Sequence, residues 1–286
     1  MKVINFSGGR SSGYMLYSVL KENDFNLPEN IKVVFANTGM EHRYTYDFIR
    51  DCAEKWKVKI WCVEYRNEAF PFRKYDEKIG KKYAIVPLEK MSSGALGEEF
   101  TPFGAMLEKG NYLPSPFRRV CTATLKVSAI DNFVRFTFGK KQAKNVDRCV
   151  GIRYDEKRRW SKMKGREGVI FPLVETKTTR KEVMEFWQNN SFDLKLLAVV
   201  KEQTLYGNCV GCFLKGSKKL SQIFKQNPKY ADFWIEAEKN AAERDFIINK
   251  SNNYFNSSFS YKGLAERQKE RIDFFDSEIN DCFCGD

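Results

Sequence analysis

Lys2-Val3-Ile4-Asn5-Phe6-Ser7-Gly8-Gly9-Arg10-Ser11-Ser12-Gly13-Tyr14-Met15-Leu16 stands at the start of the chain and decides how the rest is read. Residues 2–6 form a short apolar run of strand type, and residues 13–21 carry apolar side chains at helical spacing. Between them lie only glycine, serine and one arginine. A strand feeding directly into such a turn and then a helix can aim backbone N–H groups at an anion, with the serine hydroxyls as further donors and the helix N-terminus as a partial positive charge. Ser7, Gly8, Gly9, Arg10, Ser11 and Ser12 are therefore candidate phosphate-binding residues. The competing reading is a polar strand-to-helix turn with a serine cap. Neither G-x-G-x-x-G nor G-x-x-x-x-G-K-[ST] occurs in this stretch.

Outward from that turn, residues 31–36 read as a buried strand and residues 44–56 as an amphipathic helix with Phe48, Ile49, Cys52, Ala53 and Trp56 on one face. Residues 59–64 read as a third strand. A β-α-β-α-β series predicts an α/β fold, a Rossmann-like, doubly wound and mostly parallel sheet with ligands at the carboxyl ends of its strands. Residues 67–116 lose this pattern and read as an irregular insertion or lid. Order returns with a helix over 122–138, a strand over 147–152, a helix over 180–190, a loop over 208–215, and a helical region that includes 230–249. The chain divides on this reading into an α/β nucleotide-binding domain, 1–215, and a helical C-terminal region, 216–286, ending in a cysteine-containing tail.

At 286 residues the chain is long enough for a substantial core, and 42% hydrophobic with 15% aromatic residues excludes a disordered protein. No run reaches the roughly 18 apolar residues of a membrane span, and the N-terminus shows no signal-peptide pattern. The expectation is a soluble, cytoplasmic protein with no membrane partner. Lys and Arg number 49 against 37 Asp and Glu, a net charge of +12, which suggests a polyanionic ligand. Residues 1–120 have a net charge of +4, residues 121–225 of +12 and residues 226–286 of −4, so the excess equals that of the middle segment. A nucleotide alone seldom needs so large a surplus, and nucleic acid is a candidate substrate.

Further motifs fall at predicted strand ends and loops. Asn37-Thr38-Gly39 follows the second strand, where it could meet the adenosine part of a ligand whose phosphates lie on the Ser7 loop. Arg118-Arg119-Val120-Cys121-Thr122-Ala123-Thr124-Leu125-Lys126 sets two cations before a thiol at a helix start, a position that lowers a thiol pKa. Gly151-Ile152-Arg153 follows another strand. Cys209-Val210-Gly211-Cys212 fits half a zinc site, a redox pair or an iron–sulfur ligand pair, and Cys121 makes three candidate ligands. Cys52, Cys62 and Cys149 fall within apolar elements and read as core residues. His42, the single histidine, reads as an ordinary loop residue, with ligand contact or proton transfer as the less favoured role. The aromatics of 230–246 are spaced for helix packing.

Taken together and in this order, the S-G-G loop at Ser7 to Ser12, N-T-G at Asn37 to Gly39, R-x-C-T-x-x-x-K at Arg119 to Lys126, G-x-R at Gly151 and Arg153, and C-x-x-C at Cys209 and Cys212 resemble the phosphoadenosine phosphosulfate (PAPS) reductase family. That family lies within the PP-loop, adenine-nucleotide α-hydrolase-like enzymes, and the likeness is strongest to its divergent phage-type members. The resemblance implies a PP-loop-type sheet binding ATP or PAPS, with Arg119, Gly151 and Arg153 joining the two loops around the nucleotide. Mg2+ is a further candidate cofactor. It also implies a [4Fe–4S] cluster, whose Cys-Cys pair stands about ninety residues before the C-x-x-C; here Cys121 and Cys209 are 88 apart. The pair is Cys121-Thr122, however, so one ligand is missing, and the reductases' E-C-G-[LI]-H is absent.

Cys282 or Cys284 could complete the cluster, or an open iron could hold sulfide for transfer, as in tRNA-thiolating PP-loop enzymes, where ATP adenylates a base carbonyl and sulfur displaces AMP. Zinc is the alternative metal. Cys282, Cys284, Lys126 and Arg153 are the candidate catalytic groups, and a thiol or sulfur-donor protein is a candidate partner. The resulting reading is sulfur transfer or adenylylation. Sulfonucleotide reduction to sulfite and a non-catalytic nucleotide- or nucleic-acid-binding protein are the alternatives.

Overall fold

The computed structural model describes residues 1–95, 100–110, 113–196, 199–200, 203–243 and 254–266. Strand β1 (Lys2–Asn5) runs through the glycine turn into α1 (Arg10–Glu22), β2 (Ile31–Asn37) leads to α2 (Arg43–Lys55), and β3 (Ile60–Tyr65) follows. β1 pairs in parallel with β2, Lys2 opposite Ile31, and β2 with β3, Val33 opposite Ile60. Val33, Val34 and Phe35 are all buried, as a parallel strand covered on both faces requires.

The stretch expected to be an irregular lid instead extends the sheet. β4 (Glu77–Lys78) and β5 (Tyr83–Val86) add to the β3 edge, β5 antiparallel to β3 and β4 antiparallel to β5. Helix α3 (Pro102–Lys109) follows, with Pro102 in its first turn and the Thr101 hydroxyl accepting the Gly104 N–H at 3.0 Å. These pieces are too short for periodicity to register, and Gly80, Pro87 and Gly94 between them read as loop.

The helix expected over 122–138 is two elements. A π-helical turn, Thr122–Val127, passes into α4 (Ser128–Gln142), and β6 (Asp147–Val150) then pairs in parallel with β1 on the side opposite β2. α5 (Lys157–Ser161) and the edge strand β7 (Val169–Ile170) come next, then α6 (Pro172–Glu175) and α7 (Arg180–Asn189). The sheet order is β4-β5-β3-β2-β1-β6-β7. Order therefore reverses at β1, and right-handed crossovers carry α4 to the face opposite α1 and α2. This is a Rossmann-like α/β fold whose topological switch point lies between the carboxyl ends of β1 and β6.

Three helices, α8 (Ser217–Gln226), α9 (Lys229–Glu243) and α10 (Tyr261–Glu266), form the C-terminal region. They do not stand apart from the sheet. Trp234 and Phe233 of α9 meet Phe103 of α3 at 5.3 and 5.9 Å, and the buried apolar residues make one continuous core from Val3 to Leu264. Tyr230 and Trp234 are buried, as their spacing predicts, and so are Cys52, Cys62 and Cys149. Among the described residues no helix is long and apolar enough to cross a membrane.

Candidate functional site

The loop after β1 is built around one hydroxyl. Ser12 Oγ donates to the Gly9 carbonyl at 2.9 Å and accepts from the N–H groups of Ser7 and Gly9 and from Ser7 Oγ. Ser12 is thus a brace for the loop, where the sequence suggested a ligand contact. Gly8 has φ +76°, and a Cβ there would lie 2.7 Å from Thr45 Cγ2. The first N–H groups of α1 have no partner within the helix and carry its positive dipole end.

β6 delivers the next components. A Cβ on Gly151 would fall 2.8 Å from the Ser12 Cα, so only glycine lets the β6 end approach α1 this closely. Arg153, two residues on, donates from Nη1 to Ser11 Oγ at 2.9 Å, with Glu156 3.6 Å from the same nitrogen and Asp155 paired to Nε at 3.0 Å. The S-G-G and G-x-R motifs, some 140 residues apart in sequence, therefore meet at the switch point. Arg10 does not join them. Its guanidinium makes a bidentate pair with Asp193, both bonds 2.8 Å, and a third bond to the Leu194 carbonyl, tying α1 to the segment beyond α7.

Asn37, Thr38 and Gly39 turn inward. Asn37 Nδ2 donates to Glu64 Oε1 and to the Ser92 carbonyl, both at 2.8 Å, and its Oδ1 accepts from the Gly39 N–H and the Tyr46 hydroxyl. Thr38 Oγ1 donates to Glu41 at 2.8 Å. These side chains are buried and bonded, so the N-T-G sequence organises the loop from within. Behind it, Glu64 receives Arg66, Arg73 and both donors of Ser92, while Arg66 Nε reaches Asp76 at 2.7 Å. No sequence motif announces this network. Glu64 and Arg66, alternating at the end of an apolar strand, were the available signal.

The cysteine loop lies against the same edge. Cys209 forms an antiparallel bridge with Glu41, the Val210 N–H donates to the Met40 carbonyl at 2.8 Å, and the Cys209 thiol is 3.4 Å from Thr38 Oγ1. Lys215, buried, donates from Nζ to the carbonyls of Gly207 and Cys209 and so clamps the loop. Tyr261 donates to the Gly211 carbonyl from the opposite side. Burial pushes the Cys209 thiol up to about 12, the Glu41 carboxylate adds to that, and Lys126 opposes it. Cys209 is a protonated thiol at neutral pH.

Cys121, half-buried at the start of the π-helical turn, lies close enough to Cys209 to act on its titration. The three cysteines thus share a region, and a π-helical turn at the R-x-C-T-x-x-x-K motif is a common mark of a functional segment. Among the described residues, however, no three His, Cys, Asp or Glu side chains are arranged to hold a metal ion. Cys121, Cys209 and Cys212 do not form such a group. Cys282 and Cys284 lie outside the described residues. His42 is buried against Tyr44, Tyr206 and Tyr230, caps α2 through Nδ1, and is kept neutral by burial, its pKa lowered to about 4.

Fold and site together define an α/β protein with a glycine turn, a helix N-terminus and an arginine at its switch point, beside a buried thiol loop. No family model matches the sequence. Over 227 residues the chain is 25% identical to the uncharacterized nin region protein ORF290 of Escherichia phage lambda, covering 79% of this chain and 70% of that protein.

Proposed function

We propose that this chain binds an adenine nucleotide, ATP or PAPS, at the carboxyl ends of β1 and β6 and uses it in sulfur transfer or adenylylation. The observation that carries the reading is the Arg153–Ser11 bond, which joins the β6 end to the first turn of α1 directly beside the Gly8-Gly9 turn. Backbone N–H groups, a helix dipole and a guanidinium then face one point, the arrangement an oligophosphate needs. Ser11 adds a hydroxyl donor, and Ser12, with Ser7 donating to it, holds the loop in shape before any ligand arrives. Arg153 would exchange its Ser11 and acidic partners for phosphate oxygens.

Cys121, Cys209 and Cys212 are the sulfur-handling groups of this reading, near enough to the nucleotide loops through Thr38 to share a substrate. Lys126 offsets only part of the upward push that burial and Glu41 give the Cys209 thiol.

Calorimetric titration with ATP and with PAPS tests the site. One of the two should bind, and Arg153→Ala should weaken it about tenfold or more, the worth of a charge-assisted hydrogen bond. Release of AMP and pyrophosphate from ATP assigns adenylylation, and release of sulfite from PAPS with a thiol reductant assigns reduction. Absence of binding by both nucleotides would refute the reading.

A further inference from the structure

Two exposed features beside the sheet are not absorbed by a nucleotide site. The first is Phe117, 94% exposed at the tip of a tight turn in which Ser115 and Arg118 exchange backbone hydrogen bonds of 3.1 Å each. A phenylalanine so displayed, with Arg118 and Arg119 following it, gains nothing from the fold. The second is the lobe that follows Arg153. Residues 157–166 hold six basic and no acidic residues, and Lys157, Arg158, Lys162, Lys164 and Arg166 are exposed, while Arg159 turns in to Glu156.

The lobe is anchored, not loose. The Tyr154 N–H donates to the Thr178 carbonyl at 2.9 Å, and Trp160 Nε1 donates to the Tyr154 carbonyl at 3.1 Å, leaving the Tyr154 side 45% exposed at its root. The two features flank the glycine turn. The lobe leaves the carboxyl end of β6 at Lys157 and Arg158 and runs down to the amino end of β7, where the Arg148 N–H meets the Gly168 carbonyl, on one side of β1; the segment after Phe117 enters the π-helical turn that packs on β2 and β3 on the other.

We propose that this edge is a binding surface for single-stranded nucleic acid, with backbone phosphates on the 157–166 lobe and an unstacked base on Phe117. Basic side chains supply sequence-independent attraction to phosphates, and an exposed ring supplies a stacking platform that any base fits. A duplex keeps its bases stacked and offers Phe117 no face. A single strand crossing from lobe to Phe117 passes over the glycine turn, where a base or backbone atom would meet the activated nucleotide. As an acceptor site the surface rests on the nucleotide reading above; as a binding surface it stands without it.

The test is fluorescence anisotropy with labelled single-stranded DNA and RNA of about 20 nucleotides, long enough for one such site, and with the corresponding DNA duplex, across a salt series. The full-length chain should bind single strands more tightly than duplex, with log affinity falling linearly in log salt. The triple variant Lys157→Glu, Arg158→Glu, Lys162→Glu should bind at least tenfold more weakly with a shallower salt slope. Phe117→Ala should lose about tenfold on single strands with the slope unchanged. Both variants change exposed positions, and an unaltered far-ultraviolet circular dichroism spectrum and urea midpoint show that the fold is intact. Oligonucleotide behaviour as stated without nucleotide binding would uphold the surface and reject the acceptor role. Equal affinity for duplex and single strand with no effect of Phe117→Ala would overturn the proposal. So would binding to equimolar phosphatidylserine–phosphatidylcholine vesicles that depends on Phe117 while oligonucleotide binding does not.

Discussion

His42 shows how one buried side chain sets the acid limb of stability. Its folded pKa of about 4 lies below the ordinary 6.5, because burial and the neighbouring Arg43 disfavour the imidazolium, with Asp47 opposing. Between pH 6.5 and 4 the unfolded chain binds a proton that the native state refuses, so stability falls as pH drops through that window and is fully present above it. Glu238 works in the other direction. Burial raises its carboxyl to about 7 although it accepts the N–H groups of Phe255 and Tyr261, so its contribution is complete below pH 4.5 and is lost as pH rises through 7. Between pH 4.5 and 6.5 the two oppose each other. His42→Asn keeps a capping acceptor for α2 and removes the titration. Measured by urea unfolding, the variant should gain stability relative to the parent protein at pH 4.5 compared with pH 7.5. An equal difference at both pH values would assign the acid sensitivity to other groups.

At the scale of elements, the thiol loop is held shut by α9 and α10. Trp234 stacks on Tyr261 at 5.3 Å, meets Phe255 edge-on at 4.9 Å, and lies over the loop whose Gly211 carbonyl Tyr261 grips. Trp234→Ala should cost about 3–5 kcal/mol and raise the rate at which Cys209 and Cys212 react with a thiol reagent. Trp187→Ala is the control, since Trp187 packs on Phe48, Trp56 and Phe192 around α1, α2 and α7, and should cost a similar amount without opening the loop. Equal thiol rates in the two variants would mean that global unfolding, not α9, controls access. None of this was legible in the sequence. The alternation of β1, α1, β2, α2 and β3 was, because the helices bury a face at a period of 3.6 residues and the strands between them are short continuous apolar runs. β4 and β5, four residues or fewer, carry no period, and the π-helical turn shares its apolar spacing with the helix it opens. The S-G-G and G-x-R motifs were visible as strand ends. Asn37 and Thr38 were visible only as polar residues, since their partners Glu64, Ser92 and Glu41 are chosen by the fold. The partner of Arg10 was hidden for the same reason: Asp193 lies 183 residues away.

The whole molecule is bound into one unit by contacts that cross the division at residue 215. His42 and Tyr206 meet Tyr230 of α9, Phe103 of α3 meets Trp234, and Asn256 donates to the Phe213 carbonyl. The Glu64, Arg66, Arg73 and Asp76 network adds rigidity on the other side of the N-T-G loop, with two cations balanced by two carboxylates. Removing one partner from such a buried set leaves an uncompensated charge, so the loop between these two supports cannot rearrange without disturbing both. A helical region that shares its core with the sheet has no apolar face of its own to close, and it should not melt separately. Urea unfolding followed by far-ultraviolet circular dichroism and by tryptophan fluorescence should give one coincident transition, since Trp187 reports on α1, α2 and α7 and Trp234 on α9. Two resolved midpoints, the first lost with Trp234→Phe, would instead make the C-terminal helices an independent unit resting on a sheet that folds without them.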